Sequence, residues 1–133
     1  EDAVIGLAGL ERDVPGPPEF LRTYAGIWAR CIEDASMPFC VCALLASELP
    51  ALPPQLAVEV RAYFQFLSGW LTGVIERGAE KGTLVISASP RIEAEAFMAT
   101  VHGAMLSARA YGDVLTFGMI LTPTLQKLIP ATD

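Results

Sequence analysis

The stretch Pro54–Leu84, PQLAVEVRAYFQFLSGWLTGVIERGAEKGTL, decides the fold of this chain. A proline in the first turn of a helix loses no hydrogen bond, so Pro54 suits the start of one. Apolar residues then recur at helical spacing, at Leu56, Val60, Phe64, Leu67, Leu71, Val74 and Ile75. Gly82 most easily adopts the left-handed conformation that ends a helix. The pattern predicts one helix from Pro54 to Lys81, about 42 Å long at about 1.5 Å per residue.

A second apolar line on the same segment, formed by Tyr63, Phe66 and Trp70, lies beside the first. A helix that is apolar over more than one face has to be packed on several sides. We therefore expect other helices of the chain to pack against it from more than one direction.

The rest of the chain also predicts helices, separated by short breaks. The predicted helices are Ala3–Leu10 (the tail of a helix), Glu19–Asp34, Phe39–Leu49, Pro90 to about Ala110, and a last helix that runs to about Ile129. Ser36, Ser89 and Asp113 are the predicted N-caps, since their side chains can accept a hydrogen bond from a first-turn amide. Pro123 is predicted to kink the last helix or to mark its effective start. Thr83–Ile86 is a short extended piece without a partner strand.

Every predicted connection is short, which favours neighbouring helices packed antiparallel. The sequence therefore predicts an all-α fold, an antiparallel helical bundle of about five to six helices, in a single domain over residues 1–133. Hydrophobic residues make up 53% of the chain, against a globular norm of roughly 45–50%. A compact monomer would leave part of that apolar surface in water, so we expect a further interface, formed by self-association.

The charge balance is acidic. Nine basic and fifteen acidic residues give a net charge of −6, and no basic run is present. Phosphate contacts need clustered lysines and arginines, so the chain by itself is predicted not to bind nucleic acid. No charge-free run reaches the roughly 18 apolar residues that a membrane span needs, and no secretory leader is visible. We expect a cytoplasmic protein without a membrane segment.

Three cysteines, an odd number, do not make a disulfide framework, and we expect buried reduced thiols. Cys40 and Cys42 stand two residues apart on a predicted helix and so point to different faces, which disfavours a zinc site. Nothing near the cysteines in sequence would activate a thiol, which disfavours a redox switch. No phosphate-binding glycine loop, nucleophile elbow or Ser-His-Asp order is present. We expect no metal, no cofactor and no enzymatic activity.

Three stretches, taken in order and spacing, resemble the TetR (tetracycline-repressor-like) family of transcriptional regulators. The first is similar to the long central helix of that family's effector domain and comprises Trp70, Val74-Ile75, Gly78 and Gly82-Thr83-Leu84. The second, Cys40–Leu45 with Glu48–Pro50, resembles the short helix before it, although Phe39 stands where a glycine is expected. The third resembles the next helix and the start of the last and comprises Ala94, Phe97, Ala99, Val101, Gly103, Leu106, Ala108, Arg109, Asp113 and Phe117.

The resemblance covers roughly Pro18 to Leu128 and implies the effector-binding and dimerisation domain of such a regulator. No helix-turn-helix is present, so operator DNA would be bound by an N-terminal unit absent from this chain. Residues 1–12 would be the tail of the helix that links the two parts. The implied protein is a homodimer, and a small, largely apolar effector releases it from its operator. Repression is the more common mode in the family.

The resemblance also implies a cavity between the helices, and ligand sites are mostly apolar with a few fixed polar groups. The candidate ligand-binding residues are Tyr24, Trp28, Phe64, Phe66, Trp70, Met98, His102 and Met105. Aromatic and methionine residues at helical spacing are equally typical of a solid core, so each of them could serve packing instead. His102, the only histidine, could hydrogen-bond to an effector, titrate near neutral pH, or be a structural histidine.

Small residues around Gly103 would let another helix approach closely. In the resembled family the last two helices of each subunit pair into a four-helix bundle, a closed two-fold contact. The candidate dimer-interface residues are Gly103, Leu106, Arg109, Leu115, Phe117, Met119 and Leu121. Two alternatives remain open: a helical dimerisation module without a ligand, and a helical cofactor-binding protein.

Overall fold

The computed structural model describes residues 16–34, 46 and 48–131, with the side chains of 31–34 left out. These residues form four α-helices, which we label α1 (Pro17–Asp34), α2 (Pro54–Glu80), α3 (Pro90–Tyr111) and α4 (Leu115–Leu128), and one short 3-10 helix (Leu49–Ala51). No strand occurs in this described part, and the all-α prediction is confirmed.

The number of helices is slightly lower than the predicted five to six. Two of the predicted helices fall outside the described residues: Ala3–Leu10 does so entirely, and Phe39–Leu49 does so for most of its length. The end of the second one, at Leu49, lies in the 3-10 helix, where Pro50 interrupts α-helical hydrogen bonding. The first described helix, α1, begins at Pro17, two residues before the predicted start at Glu19.

The central helix α2 has the predicted start and an end within one residue of the predicted one. Gly82 has a positive φ of 74°, as the end signal requires. The amide of Thr83 donates to the carbonyl of Gly78 at 2.8 Å, and the amide of Gly82 donates to the carbonyl of Ala79 at 3.2 Å. This pair of bonds satisfies carbonyls that the last helical turn would otherwise leave without a donor.

Local signals also define α3 and α4. The Ser89 hydroxyl accepts a hydrogen bond from the amide of Ile92 at 3.3 Å, which confirms Ser89 as the N-cap of α3. Gly112 ends that helix with a φ of 62°. Asp113 accepts from the amide of Leu115 at 3.0 Å, so its carboxylate holds the first turn of α4 although Val114 occupies the N-cap position. Pro123 lies inside α4 as predicted.

The core lies where α3 packs along both α2 and α4, and α1 packs against α2 and α4. The largest fully buried side chains come from all four helices: Phe20, Phe97, Phe117, Leu21, Leu67, Leu71, Ile75, Met105, Val74 and Val101. The segment predicted to be extended, Thr83–Ile86, is not a strand but joins this core. Leu84 is buried, and the amide of Val85 donates to the carbonyl of Leu128 at 2.8 Å. The loop thereby fastens the end of α4 to the end of α2.

Candidate functional site

An open groove of about 420 Å³ runs between α2 and α3. Its walls are Phe64, Gln65, Ser68, Gly69 and Thr72 from α2, and Arg91, Glu95 and Met98 from α3. The volume falls within the roughly 300–1,000 Å³ range of small-molecule sites. We call this feature the α2–α3 groove. Phe64 and Met98 are the two candidate ligand-binding residues that line it.

A hydrogen bond between the two helices crosses the groove. The Ser68 hydroxyl donates to Glu95 Oε1 at 2.5 Å. Arg91 stands four residues before Glu95 on α3, a spacing at which a helical ion pair can form. Among the described residues Arg91 has no ion pair. The groove therefore presents a carboxylate that is already hydrogen-bonded and a guanidinium that pairs with no described side chain.

His102 lies behind the apolar end of this groove. It is buried, one helical turn beyond Met98, and its ring centroid is 5.2 Å from that of Phe64. It makes no hydrogen bond to another described residue. Burial lowers the pKa of His102 below its ordinary value of 6.5, because desolvation disfavours the charged imidazolium. Burial therefore favours the neutral form of the imidazole beside the aromatic ring of Phe64.

Three further candidates lie in the core or pack against it. Tyr24 is buried, and its ring lies 6.3 Å from that of Phe97. Trp28 is partly buried and packs on the core one helical turn later. Met105 is fully buried in the core cluster. These positions serve packing within the protomer, whatever else they contact.

The last two candidates, Phe66 and Trp70, stand on the side of α2 that faces away from the α2–α3 groove. Their ring centroids are 5.8 Å apart. The indole Nε1 of Trp70 is buried without a hydrogen-bond partner among the described residues. A buried N–H donor without a partner costs about 1–3 kcal/mol, so the position favours a polar acceptor that the described part of the chain does not supply. The structure thus distributes the eight candidates over three places.

The candidate dimer residues separate into two groups. Leu106, Leu115 and Met119 are 49%, 76% and 71% exposed, whereas Phe117 and Leu121 are 1% and 2% exposed. The reason is helical geometry. Residues two apart are separated by about 200° of rotation around the helix axis and so lie on opposite sides, while residues four apart lie on nearly the same side. Phe117 and Leu121 are therefore corrected from interface to core. Gly103 is half-buried and Arg109 is exposed on α3.

We call the exposed apolar surface of the last two helices the outer face. It comprises Ala99, Gly103, Leu106, Tyr111, Val114, Leu115, Gly118 and Met119. A Cβ built on Gly103 or on Gly118 would meet no atom within 4 Å. Packing inside the protomer therefore does not require glycine at either position, and the two glycines leave room on the outside.

The polar walls of the α2–α3 groove were not predicted from the sequence. Gln65, Ser68 and Thr72 interrupt an otherwise apolar helix at spacings of three and four, and this spacing was the available signal. Glu95 faces these three residues from α3. The neighbouring acid Glu93 serves a different purpose, because its Oε1 accepts the amides of Ser87 and Ala88, both at 3.1 Å, and so fastens the loop before α3.

Within the described ranges, no three histidine, cysteine or acidic side chains cluster in a way that could hold a metal ion. None of the described helices has the length and apolarity that crossing a membrane would take. The groove's groups, a hydroxyl bonded to a carboxylate beside a guanidinium, suit hydrogen bonding and charge pairing with a small molecule.

No protein-family model and no curated protein matches this chain. Among solved structures, the chain is similar to a transcriptional regulator of the TetR family from Agrobacterium tumefaciens, with a TM-score of 0.94 and 56% sequence identity over 97% of this chain and 68% of that one. It is also similar in fold to the regulatory protein TetR from Rhodobacter sphaeroides, with a TM-score of 0.75 and 18% identity over 86% of this chain and 61% of that one.

Proposed function

This chain belongs to the TetR family of transcriptional regulators, and from that premise we propose that it is the ligand-sensing and dimerisation domain of a repressor. A small, largely apolar effector would bind between its helices and release the dimer from operator DNA. In this proposal the DNA is held by an N-terminal helix-turn-helix unit and not by the acidic chain described above. The cytoplasmic location expected from the sequence is part of the same proposal.

The outer face is the observation that supports a dimer. Monomeric proteins rarely expose a contiguous apolar patch of this kind without a use for it. Large side chains such as Leu115 and Met119 stand beside two glycines whose missing side chains leave open space. That combination fits a second helix pair packed closely against α3 and α4. The same surface on a second copy would give a closed two-fold contact.

Ligand sensing is supported by the position of α3. Met98 on this helix lines the α2–α3 groove, and Gly103 and Leu106 on the same helix belong to the outer face. A molecule that binds one arrangement of α2 and α3 better than another shifts the population toward it, by its differential affinity only. Because α3 belongs to both surfaces, such a shift would alter how two copies sit on each other.

Two measurements on the chain test this proposal. Sedimentation equilibrium should give twice the chain mass, and titration with Nile red, a neutral apolar dye, should quench the fluorescence of the two tryptophans, Trp28 and Trp70. A monomer at high micromolar concentration would refute the dimer. A dimer that leaves both the dye and the tryptophan emission unchanged would favour the alternative of a dimerisation module without a ligand.

A further inference from the structure

We propose that the α2–α3 groove binds a small aromatic carboxylate, with the carboxylate on Arg91 and the ring on Phe64 and Met98. This inference rests on the proposed function and deepens it by naming the chemical class of molecule that this side of the domain takes. It depends on three features of the groove: a guanidinium that pairs with no described acid, a carboxylate hydrogen-bonded to Ser68, and an apolar end.

The charge argument starts from Arg91 and Glu95. At a separation of four residues on one helix, their side chains can pair. Ser68 competes with this pairing by donating its hydroxyl hydrogen to Glu95 across the groove. Arg91 is left without an ion pair among the described residues. A planar guanidinium binds a carboxylate with two parallel hydrogen bonds, which makes a carboxylate the matching ligand group.

The position of Arg91 on its helix acts in the same direction. Arg91 is the second residue of α3, where the aligned backbone dipoles give a partial positive charge. An anion at the guanidinium gains from this charge, and a cation loses. A cationic ligand would have to bind Glu95 one helical turn from the like charge of Arg91 and close to the same helix end, which disfavours it. The groove therefore favours the anion.

The apolar end of the groove determines the rest of the molecule. Phe64 offers a half-buried aromatic face, and Met98 is a flexible thioether that adapts to flat rings. Gly69 lies in the wall without a side chain, and a Cβ there would meet no atom within 4 Å. About 420 Å³ is ample for a fused two-ring compound with one carboxylate. An aromatic body and a single anionic group thus match the two ends of the groove.

Isothermal titration of the chain with three matched compounds tests the charge. The compounds are 2-naphthoate, its neutral analogue 2-naphthalenemethanol, and the cationic analogue 2-naphthylmethylammonium. We expect naphthoate to bind most tightly, and Arg91→Gln to weaken it on the order of tenfold, the usual effect of losing a charge-assisted pair. Arg30→Gln, an equal charge change at an exposed position of α1, should leave naphthoate affinity unchanged. Equal binding of the three compounds, or equal loss in both variants, overturns the proposal.

A second set of variants separates this role of Ser68 from a structural one. Ser68→Ala should weaken naphthoate binding, because Glu95 is then free to pair with Arg91. Adding Glu95→Gln to Ser68→Ala should restore the affinity, since the competing carboxylate is gone. An affinity that stays low in the double variant overturns the proposal. If naphthoate does not bind while Nile red still binds and the chain still dimerises, only the ligand class is refuted. If naphthoate binding, Nile red binding and dimerisation are all absent, the proposed function is refuted as well.

Discussion

Leu84 lies directly on Gly78, and the contact closes the end of the central helix. The amide of Leu84 donates to the carbonyl of Gly78 at 3.0 Å, which fixes the leucine backbone over the glycine. A Cβ built on Gly78 would stand 2.5 Å from Leu84 Cγ and 3.0 Å from Leu84 Cβ. A rotamer change of Leu84 would move Cγ, but it would displace a buried side chain and would leave the 3.0 Å contact to Leu84 Cβ, whose position follows from the backbone.

Substitution of Gly78 by alanine is therefore expected to destabilise the protein. We expect a net loss of about 1–2 kcal/mol in the free energy of unfolding, because overpacking costs about 1–3 kcal/mol and helix propensity returns at most about 1 kcal/mol. Urea denaturation at fixed protein concentration measures this change in the free energy of unfolding. Gly69→Ala is the matched control, since its Cβ meets nothing, and it should be neutral or stabilising. Adding Leu84→Ala should cost less in the Gly78→Ala background than alone; strictly additive losses would contradict the contact.

Substitution of Gly112 by a residue with a side chain should cost backbone strain rather than a steric clash. Its φ is 62°, and a Cβ there would meet no atom within 4 Å. Gly112→Ala should cost about 1 kcal/mol or slightly more, because an L-residue with a side chain is strained in the left-handed region. Gly112→Asn should cost less, since asparagine tolerates that conformation. Equal stabilities of the two variants in urea would show that the turn between α3 and α4 relaxes.

Gly103→Glu tests the outer face. Because glutamate has a higher helix propensity than glycine, this substitution should stabilise the protomer by roughly 0.5–1 kcal/mol. In a close helix pair it would bury an unpaired charge, so we expect the dimer to dissociate in sedimentation equilibrium. Gly69→Glu places the same charge on α2, away from the outer face, and should leave the mass unchanged. A Gly103→Glu protein that stays dimeric would place the interface elsewhere.

His102 should make stability depend on pH in a definite direction. Its pKa is lowered in the folded state by burial, so between the folded value and the unfolded value near 6.5 the unfolded chain binds more protons. The stabilising contribution is complete above pH 6.5 and is lost as the pH falls from there through the folded-state pKa. Urea midpoints at pH 7.5 and pH 5.5 measure this loss. His102→Gln should reduce the difference between the two midpoints; an undiminished difference would assign it to carboxylates.

The sequence by itself determined the helices and most of their ends. Pro54, Gly82, Ser89 and Gly112 act locally, through a missing amide, a permitted positive φ or a capping hydroxyl, and such signals need no knowledge of distant residues. The resemblance to TetR regulators also came from linear order and spacing, and the comparison with solved structures confirmed it.

Only the tertiary structure decided which way each apolar side chain points. On α4, Leu115 and Met119 face outward while Phe117 and Leu121 face the core. Both pairs are hydrophobic, so the residue types alone did not say which of the two faces packs against α3. The bond from Ser68 to Glu95 joins residues 27 positions apart. Such a pair depends on how two helices align along each other, and that alignment follows from the packing of the whole core.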